Sequence, residues 1–176
     1  MEYNALMRKL PIGIQTFEKL RKGNYLYVDK TEFIWKMAFA SNPYFLSRPR
    51  RFGKSLLLST FEAYFEGKKE LFEGLAIEKM ETEWKQYPVL HLDLNAEKYD
   101  SPERLGNILS NQLTQWEALY GKGADENTLS TRFSGIIRRA CEQAGCGVVV
   151  LVDEYDKPLL QALGDNDLLE EYRKTL

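Results

Sequence analysis

Two short stretches carry residue types suited to handling phosphates. The first is RPRRFGKS at residues 48–55. It follows a compact apolar run and precedes a helical pattern, so it sits where a strand turns into a helix. The first N–H groups of a helix have no internal partners and carry the positive end of its dipole, which suits them to an anion. Gly53 lets the backbone approach oxygen atoms closely, Lys54 adds a point charge for β and γ phosphates, and the Ser55 hydroxyl suits Mg²⁺. Arg50, Arg51, Phe52 and Leu56 complete the candidate nucleotide-binding set. Arg48 stands at the first glycine position of GxxxxGK[ST], so the match is incomplete, and GKS alone also describes a helix start with a surface lysine.

The second stretch is Asp153-Glu154, directly after the apolar run Val148 to Val152. Two adjacent carboxylates at the C-terminal end of a buried parallel strand lie where open α/β sheets bind ligands. Asp153 suits Mg²⁺ through its water shell, and Glu154 suits a water aligned for attack on a γ-phosphate, making Glu154 and Lys54 the candidate catalytic residues and Ser55 and Asp153 the candidate metal residues. Either acid alone also reads as a solvated turn residue. The two stretches together, about a hundred residues apart, favour a nucleotide site.

Other chemistry-bearing residues read differently. Arg48, Arg50 and Arg51 suit phosphate or sugar contacts, a charge offered to a neighbouring subunit, or plain salt bridges. His91 and Asp93 share a strand face and lack a third partner, so they read as core or edge residues. Asp156 and Lys157 read as turn residues, with an accessory catalytic role as the alternative. A small-molecule kinase also uses GKS, but an Asp-Glu pair ending a strand fits water activation better than acceptor phosphorylation.

These residues need an α/β frame. Tyr25 to Val28 read as a short strand or extended lead-in, and Asp29 or Thr31 caps a helix carrying Phe33, Ile34, Met37 and Ala38, broken by Pro43. Tyr44 to Leu46 read as the strand before the RPRRFGKS loop. Leu56, Leu57, Thr60, Phe61, Tyr64 and Phe65 recur at helical spacing, stopped by Gly67. A helical patch surrounds Glu70 to Phe72, and Leu90, Leu92 and Leu94 alternate along a strand after Pro88. Ser101 and Pro102 open a helix with a stripe of Leu105, Ile108, Leu109, Leu113 and Trp116. Leu129, Phe133, Ile136, Ile137, Ala140 and Cys141 mark another, ended by Gly145. The run Val148 to Val152 reads as a strand buried on both faces of a parallel sheet, and a last helix begins near Asp165. Alternating strands and helices predict a three-layer α/β domain with a mostly parallel sheet.

Composition narrows the classes further. The 176 residues are 44% hydrophobic and 28% charged, with 24 Lys+Arg against 26 Asp+Glu, the composition of one globular domain rather than a disordered or fibrous chain. A net charge of −2 leaves no global basic field for nucleic acid or an anionic membrane. Two cysteines, Cys141 and Cys146, and one histidine cannot assemble a four-ligand zinc site. With no apolar run near the roughly 20 residues of a membrane span and no signal-peptide core at MEYNALMRKL, a cytoplasmic protein is expected.

LPIGIQTFEKLRKGNYLYVDKT, YFLSRPRRFGKSLLLSTFEAYFEGKKELFEGL, YPVLHLDLN and VVVLVDEYDKP together resemble the AAA-ATPase-like family of bacterial and archaeal P-loop proteins, whose members often carry a restriction-endonuclease-like nuclease domain downstream. The resemblance implies an ATP-binding, Mg²⁺-dependent hydrolase in which RPRRFGKS is the family's own phosphate loop. Lys54 and Ser55 would then be Walker A residues, Asp153 and Glu154 the Walker B pair, and Tyr27 to Thr31 a segment near the adenine. It also implies a further strand after Walker B carrying a polar sensor. The chain reaches Leu176 without one, so a fragment is expected: a lead-in over residues 1–42 and an incomplete nucleotide-binding core over 43–176, completed by association or by a downstream domain. The competing reading is a nucleotide-dependent interaction module that binds ATP without turnover.

Overall fold

In the computed structural model, residues 8–40, 43–47, 49, 52–95 and 98–176 are described. They form two units, Met1–Gln86 and Tyr87–Leu176.

The first unit is helical. α1 (Phe17–Lys22), within the segment expected to be a lead-in, buries Phe17 and Leu20. The Tyr25 to Val28 segment is an extended lead-in, with one parallel bridge between Lys9 and Tyr25. α2 (Thr31–Phe39) follows. The Asp29 carboxylate accepts from the Thr31 N–H (2.8 Å) and hydroxyl (2.7 Å), but the N-cap of α2 is Lys30, with no side-chain capping bond, so neither Asp29 nor Thr31 is the cap expected from the sequence. α2 buries Ile34, while Phe33 is exposed.

α3 (Lys54–Phe65) presents Thr60, Phe61, Ala63 and Tyr64 inward and packs on α1. The Phe17 N–H donates to Ser59 Oγ (2.9 Å), which fixes the two helices along one another. Two 3₁₀ turns, Lys69–Phe72 and Ala76–Lys79, close the unit. Phe17 and Phe72 meet at 4.9 Å between ring centroids and Phe72 and Trp84 at 5.1 Å, an aromatic core of offset and tilted rings.

One reading is overturned here. Residues 43–47 form no strand, and Tyr44 and Phe45 are exposed. Three adjacent apolar residues give a short extended segment its propensity, but a strand exists only through ladder partners, and no strand among the described residues includes them.

The second unit holds the sheet. β1 (Val89–Asp93) and β2 (Val149–Asp153) pair in parallel, from Val89 opposite Val149 to Asp93 opposite Asp153. The chain between them forms α4 (Pro102–Tyr120) and α5 (Leu129–Ala144), the long crossover that parallel strands require. The molecule is thus mixed α/β with a small parallel sheet.

The stripe on α4 serves two clusters. Leu105 joins Leu94, Tyr99, Ala162, Leu168 and Tyr172, and Leu113 and Trp116 join Leu90 and Ile136. Ser101 stands at the α4 N-cap, but its side chain makes no capping bond; its carbonyl instead accepts from Tyr172 Oη (2.7 Å), tying α7 (Asn166–Thr175) to the start of α4. Cys141, read as part of the apolar stripe of α5, is exposed and free; the buried face runs through Arg132, Gly135, Ile136 and Ala140. β2 is not buried on both faces: Val150 and Val152 remain 41% and 40% exposed, while Leu151 and Asp153 are buried. A continuous β-branched run fixes strand propensity on both faces, but coverage depends on what packs there.

Arg139 on α5 forks onto Glu126 and also donates to the Gly121 carbonyl (2.7 Å). The Arg139 guanidinium, then the Gly123 N–H, hold the Glu126 carboxyl at about 2, against the opposing effect of burial. A carboxyl depressed in the fold contributes stability that is present above its ordinary value of 4.5 and lost as pH falls toward the depressed value. Acid titration followed by circular dichroism should therefore show a destabilising component between pH 4.5 and about 2 that Glu126→Gln removes.

Candidate functional site

The two candidate stretches lie in different units. In the first, Gly53 is the α3 N-cap with φ +76° and ψ 26°, the left-handed region. A side chain in that conformation costs about 1–2 kcal/mol, and only glycine avoids it. A Cβ built at Gly53 meets nothing within 4 Å among the described residues, so the requirement for glycine is conformational.

Lys54, Ser55 and Leu56 are the first three residues of α3. The Leu57 N–H donates to the Gly53 carbonyl (3.0 Å), closing the first turn of α3. The first turn contains no acidic residue, so its positive end is not neutralised from within. Phe52 is exposed. Arg48, Arg50 and Arg51 lie outside the described residues.

In the second unit, Asp153 ends β2 and is 7% exposed. Its Oδ1 accepts from the Glu154 N–H (2.9 Å), a bond that orients the carboxylate and starts a turn. Glu154 has φ +52°, a left-handed backbone unusual for a side chain of its size and of the kind that clusters at functional sites. The Glu154 carbonyl accepts from the Lys157 N–H (3.0 Å), closing the turn that leads into α6 (Lys157–Gln161).

The parallel register brings in residues that sequence left aside. Asp93 stands opposite Asp153, and its Oδ1 accepts from the Asn95 N–H (2.8 Å). Asn95 in turn receives the Lys157 ammonium on its backbone carbonyl and on Oδ1 (3.1 Å). Neither Asn95 nor this role of Lys157 was legible in the sequence, because 62 residues separate the partners and only the strand register aligns them. His91 lies mid-strand opposite Leu151 and is half-buried, consistent with a packing role.

The Tyr27 to Thr31 segment is engaged within its own unit. Asp29 Oδ2 accepts from the Ala76 N–H (2.6 Å) and Thr31 Oγ1 from the Ile77 N–H (3.1 Å). Burial opposes charge on Asp29, but the N–H groups of Thr31 and Ala76, the Thr31 hydroxyl and the Arg21 charge hold its carboxyl below the usual range.

Among the described residues no group of three or more His, Cys, Asp or Glu is placed to hold a metal. Mg²⁺ keeps several waters and takes only one or two protein oxygens plus substrate phosphates. The buried Asp153 carboxylate and the Ser55 hydroxyl are donors of that kind. No described helix is long and apolar enough to cross a membrane.

The fold places the chain among mixed α/β proteins with a parallel sheet. The chain is a member of the family described as Predicted AAA-ATPase, which matches residues 11–176. An "Uncharacterized protein in vnfD 5'region" of Azotobacter chroococcum mcd 1 is 41% identical over 170 residues, covering 96% of this chain and 33% of that protein. The chain thus spans about one third of the length of this curated relative. No solved structure matches it significantly.

Proposed function

We propose that this chain is the nucleotide-handling part of a Mg²⁺-dependent ATPase built as a three-layer P-loop domain, with residues 1–42 as its lead-in and 43–176 as its core. Gly53, Lys54, Ser55 and Leu56, with Arg50, Arg51 and Phe52, bind the phosphates; Ser55 and Asp153 are the Mg²⁺ residues, and Glu154 takes a proton from the attacking water. The observation that carries this reading is the left-handed Gly53 opening α3 with Lys54 and Ser55 as its first two residues, an arrangement that presents N–H groups and one positive charge to an anion. Bound Mg²⁺ would neutralise charge on the β and γ phosphates. The chain's own residues do the rest: Lys54 pairs with phosphate oxygens, the Gly53 backbone admits them, and the Glu154 carboxylate orients a water and accepts its proton.

Membership of the Predicted AAA-ATPase family supports nucleotide binding as the shared property. In this reading hydrolysis is coupled to a partner, either a second copy or a downstream nuclease domain, in the cytoplasm. The test is titration of labelled ATP with and without Mg²⁺, followed by phosphate release. Saturable, Mg²⁺-enhanced binding with release is expected; binding without release would make the chain a nucleotide-dependent interaction module, and no binding would overturn the proposal.

A further inference from the structure

The left-handed Glu154 needs an explanation of its own. Sparsely populated backbone conformations cost free energy and persist only where the surroundings over-determine them. Asp153 Oδ1 holds the Glu154 N–H at 2.9 Å, and the Lys157 N–H holds the Glu154 carbonyl at 3.0 Å. Both bonds are local and would move with the turn. The Lys157 side chain ties the turn to the rest of the unit: its ammonium donates to the Asn95 backbone carbonyl and to Asn95 Oδ1 (3.1 Å), next to the Leu94 N–H, which donates to the Asp153 carbonyl (3.1 Å).

Asn95 is itself fixed. Its N–H donates to Asp93 Oδ1 at the end of β1 (2.8 Å). The same post-strand segment is tied to α6 a second time, where Tyr99 donates its N–H to Gln161 Oε1 (2.9 Å) and its hydroxyl to the Leu94 carbonyl (2.8 Å). Asp93 and Asp153 are register partners, so the path from Asp153 through Glu154, Lys157 and Asn95 to Asp93 closes a ring of contacts across the carboxyl ends of both strands.

We propose that Lys157 is a positioning residue: it holds Glu154 in its left-handed turn by bridging the turn after β2 to Asn95, two residues past β1. A charged donor on two oxygens is stronger than a neutral one, which suits it to hold a strained neighbour. Lys157 touches neither nucleotide nor water in this role. The inference rests on the reading of Glu154 as the residue that activates water, and it adds that the turn must be held from the neighbouring strand.

The test uses the full 176-residue chain as wild type, Lys157→Met, Lys157→Arg and Asn95→Ala. Two readouts are needed: steady-state ATP hydrolysis, and amide hydrogen exchange at Glu154 by NMR without nucleotide, with the Leu113 amide in α4 as reference. Lys157→Met is expected to speed Glu154 exchange by about tenfold with the reference unchanged, and to lower kcat by about tenfold with KM within about twofold. Lys157→Arg should restore most of both, because a guanidinium also reaches two oxygens. Asn95→Ala, which keeps the backbone carbonyl, should fall between.

Unchanged Glu154 exchange in Lys157→Met overturns the proposal whatever the turnover. So does equal acceleration at Leu113, which would mark general loosening, and so does faster exchange with wild-type kcat. If the wild type releases no phosphate, the ATPase reading fails instead, and the exchange data alone decide whether Lys157 holds the turn.

Discussion

Glu154→Gln is expected to bind Mg²⁺-ATP about as well as the wild type and to lose turnover by about 10²- to 10⁴-fold, the usual contribution of a positioned general base. Glutamine keeps the size and shape of the side chain, and the backbone bonds to Asp153 Oδ1 and the Lys157 N–H do not depend on the carboxylate. The fold of the turn should therefore survive while its proton acceptor is gone. Lys54→Ala should weaken binding itself. It removes a charge from the first residue of α3 without touching the Gly53 conformation, and losing a charged hydrogen bond of about 1.5–3 kcal/mol weakens binding by about ten- to a hundredfold. Fluorescent-nucleotide titration and phosphate release, run on both variants, read the two effects separately. A Glu154→Gln protein that hydrolyses ATP at the wild-type rate would remove Glu154 from the role of base.

Local signals located the elements that position these residues. Ser101 and Pro102 announced α4, Gly145 stopped α5 with φ +64°, and the valine run became β2. Each of these depends on a residue's own backbone preference or on periodicity over many residues, so it survives without knowledge of the partner. Gly53-Lys54-Ser55 was legible for the same reason, since a glycine before a helical period is a local statement.

Three misreadings were nonlocal. Tyr44 to Leu46 have strand propensity, but a ladder is made by the partner as much as by the residues. Val150 and Val152 looked buried because β-branched runs usually are, yet their exposure is set by which helices cover that face. Cys141 fell in phase with apolar neighbours, while the face of α5 that packs inward includes an arginine in place of an expected hydrophobe. The Asn95 and Lys157 contact could not be read at all, because it exists only through the register of β1 on β2. The part of the candidate site carried by single residues was thus readable, and the part carried by pairing across the sheet was not.

That buried arginine leads to the second large effect. Arg132→Ala is expected to destabilise the chain by about 3–5 kcal/mol, the range for stripping one partner from a buried ion pair. Arg132 Nε and Nη2 donate to the two oxygens of Glu117 at 2.7 and 2.9 Å, and Nη1 and Nη2 reach Ser110 Oγ (2.7 Å) and Thr114 Oγ1 (2.9 Å). The Arg132 and Glu117 side chains are only 10% and 9% exposed. The guanidinium beside it holds the Glu117 carboxyl below its ordinary range, so alanine would leave a desolvated carboxylate and two hydroxyls facing an empty site between α4 and α5. Arg132→Lys should recover only part of the loss, because an ammonium cannot reproduce the fork. The double replacement Arg132→Met with Glu117→Leu should lie much closer to the wild type, since removing both charges avoids the orphaned carboxylate. Arg138→Ala, which breaks an exposed pair with Glu142 on the same helix, should cost less than about 1 kcal/mol. Urea unfolding followed by circular dichroism reads all four variants. If Arg132→Ala costs no more than Arg138→Ala, the α4–α5 clamp does not hold the unit together, and the apolar stripes of the two helices carry that packing alone.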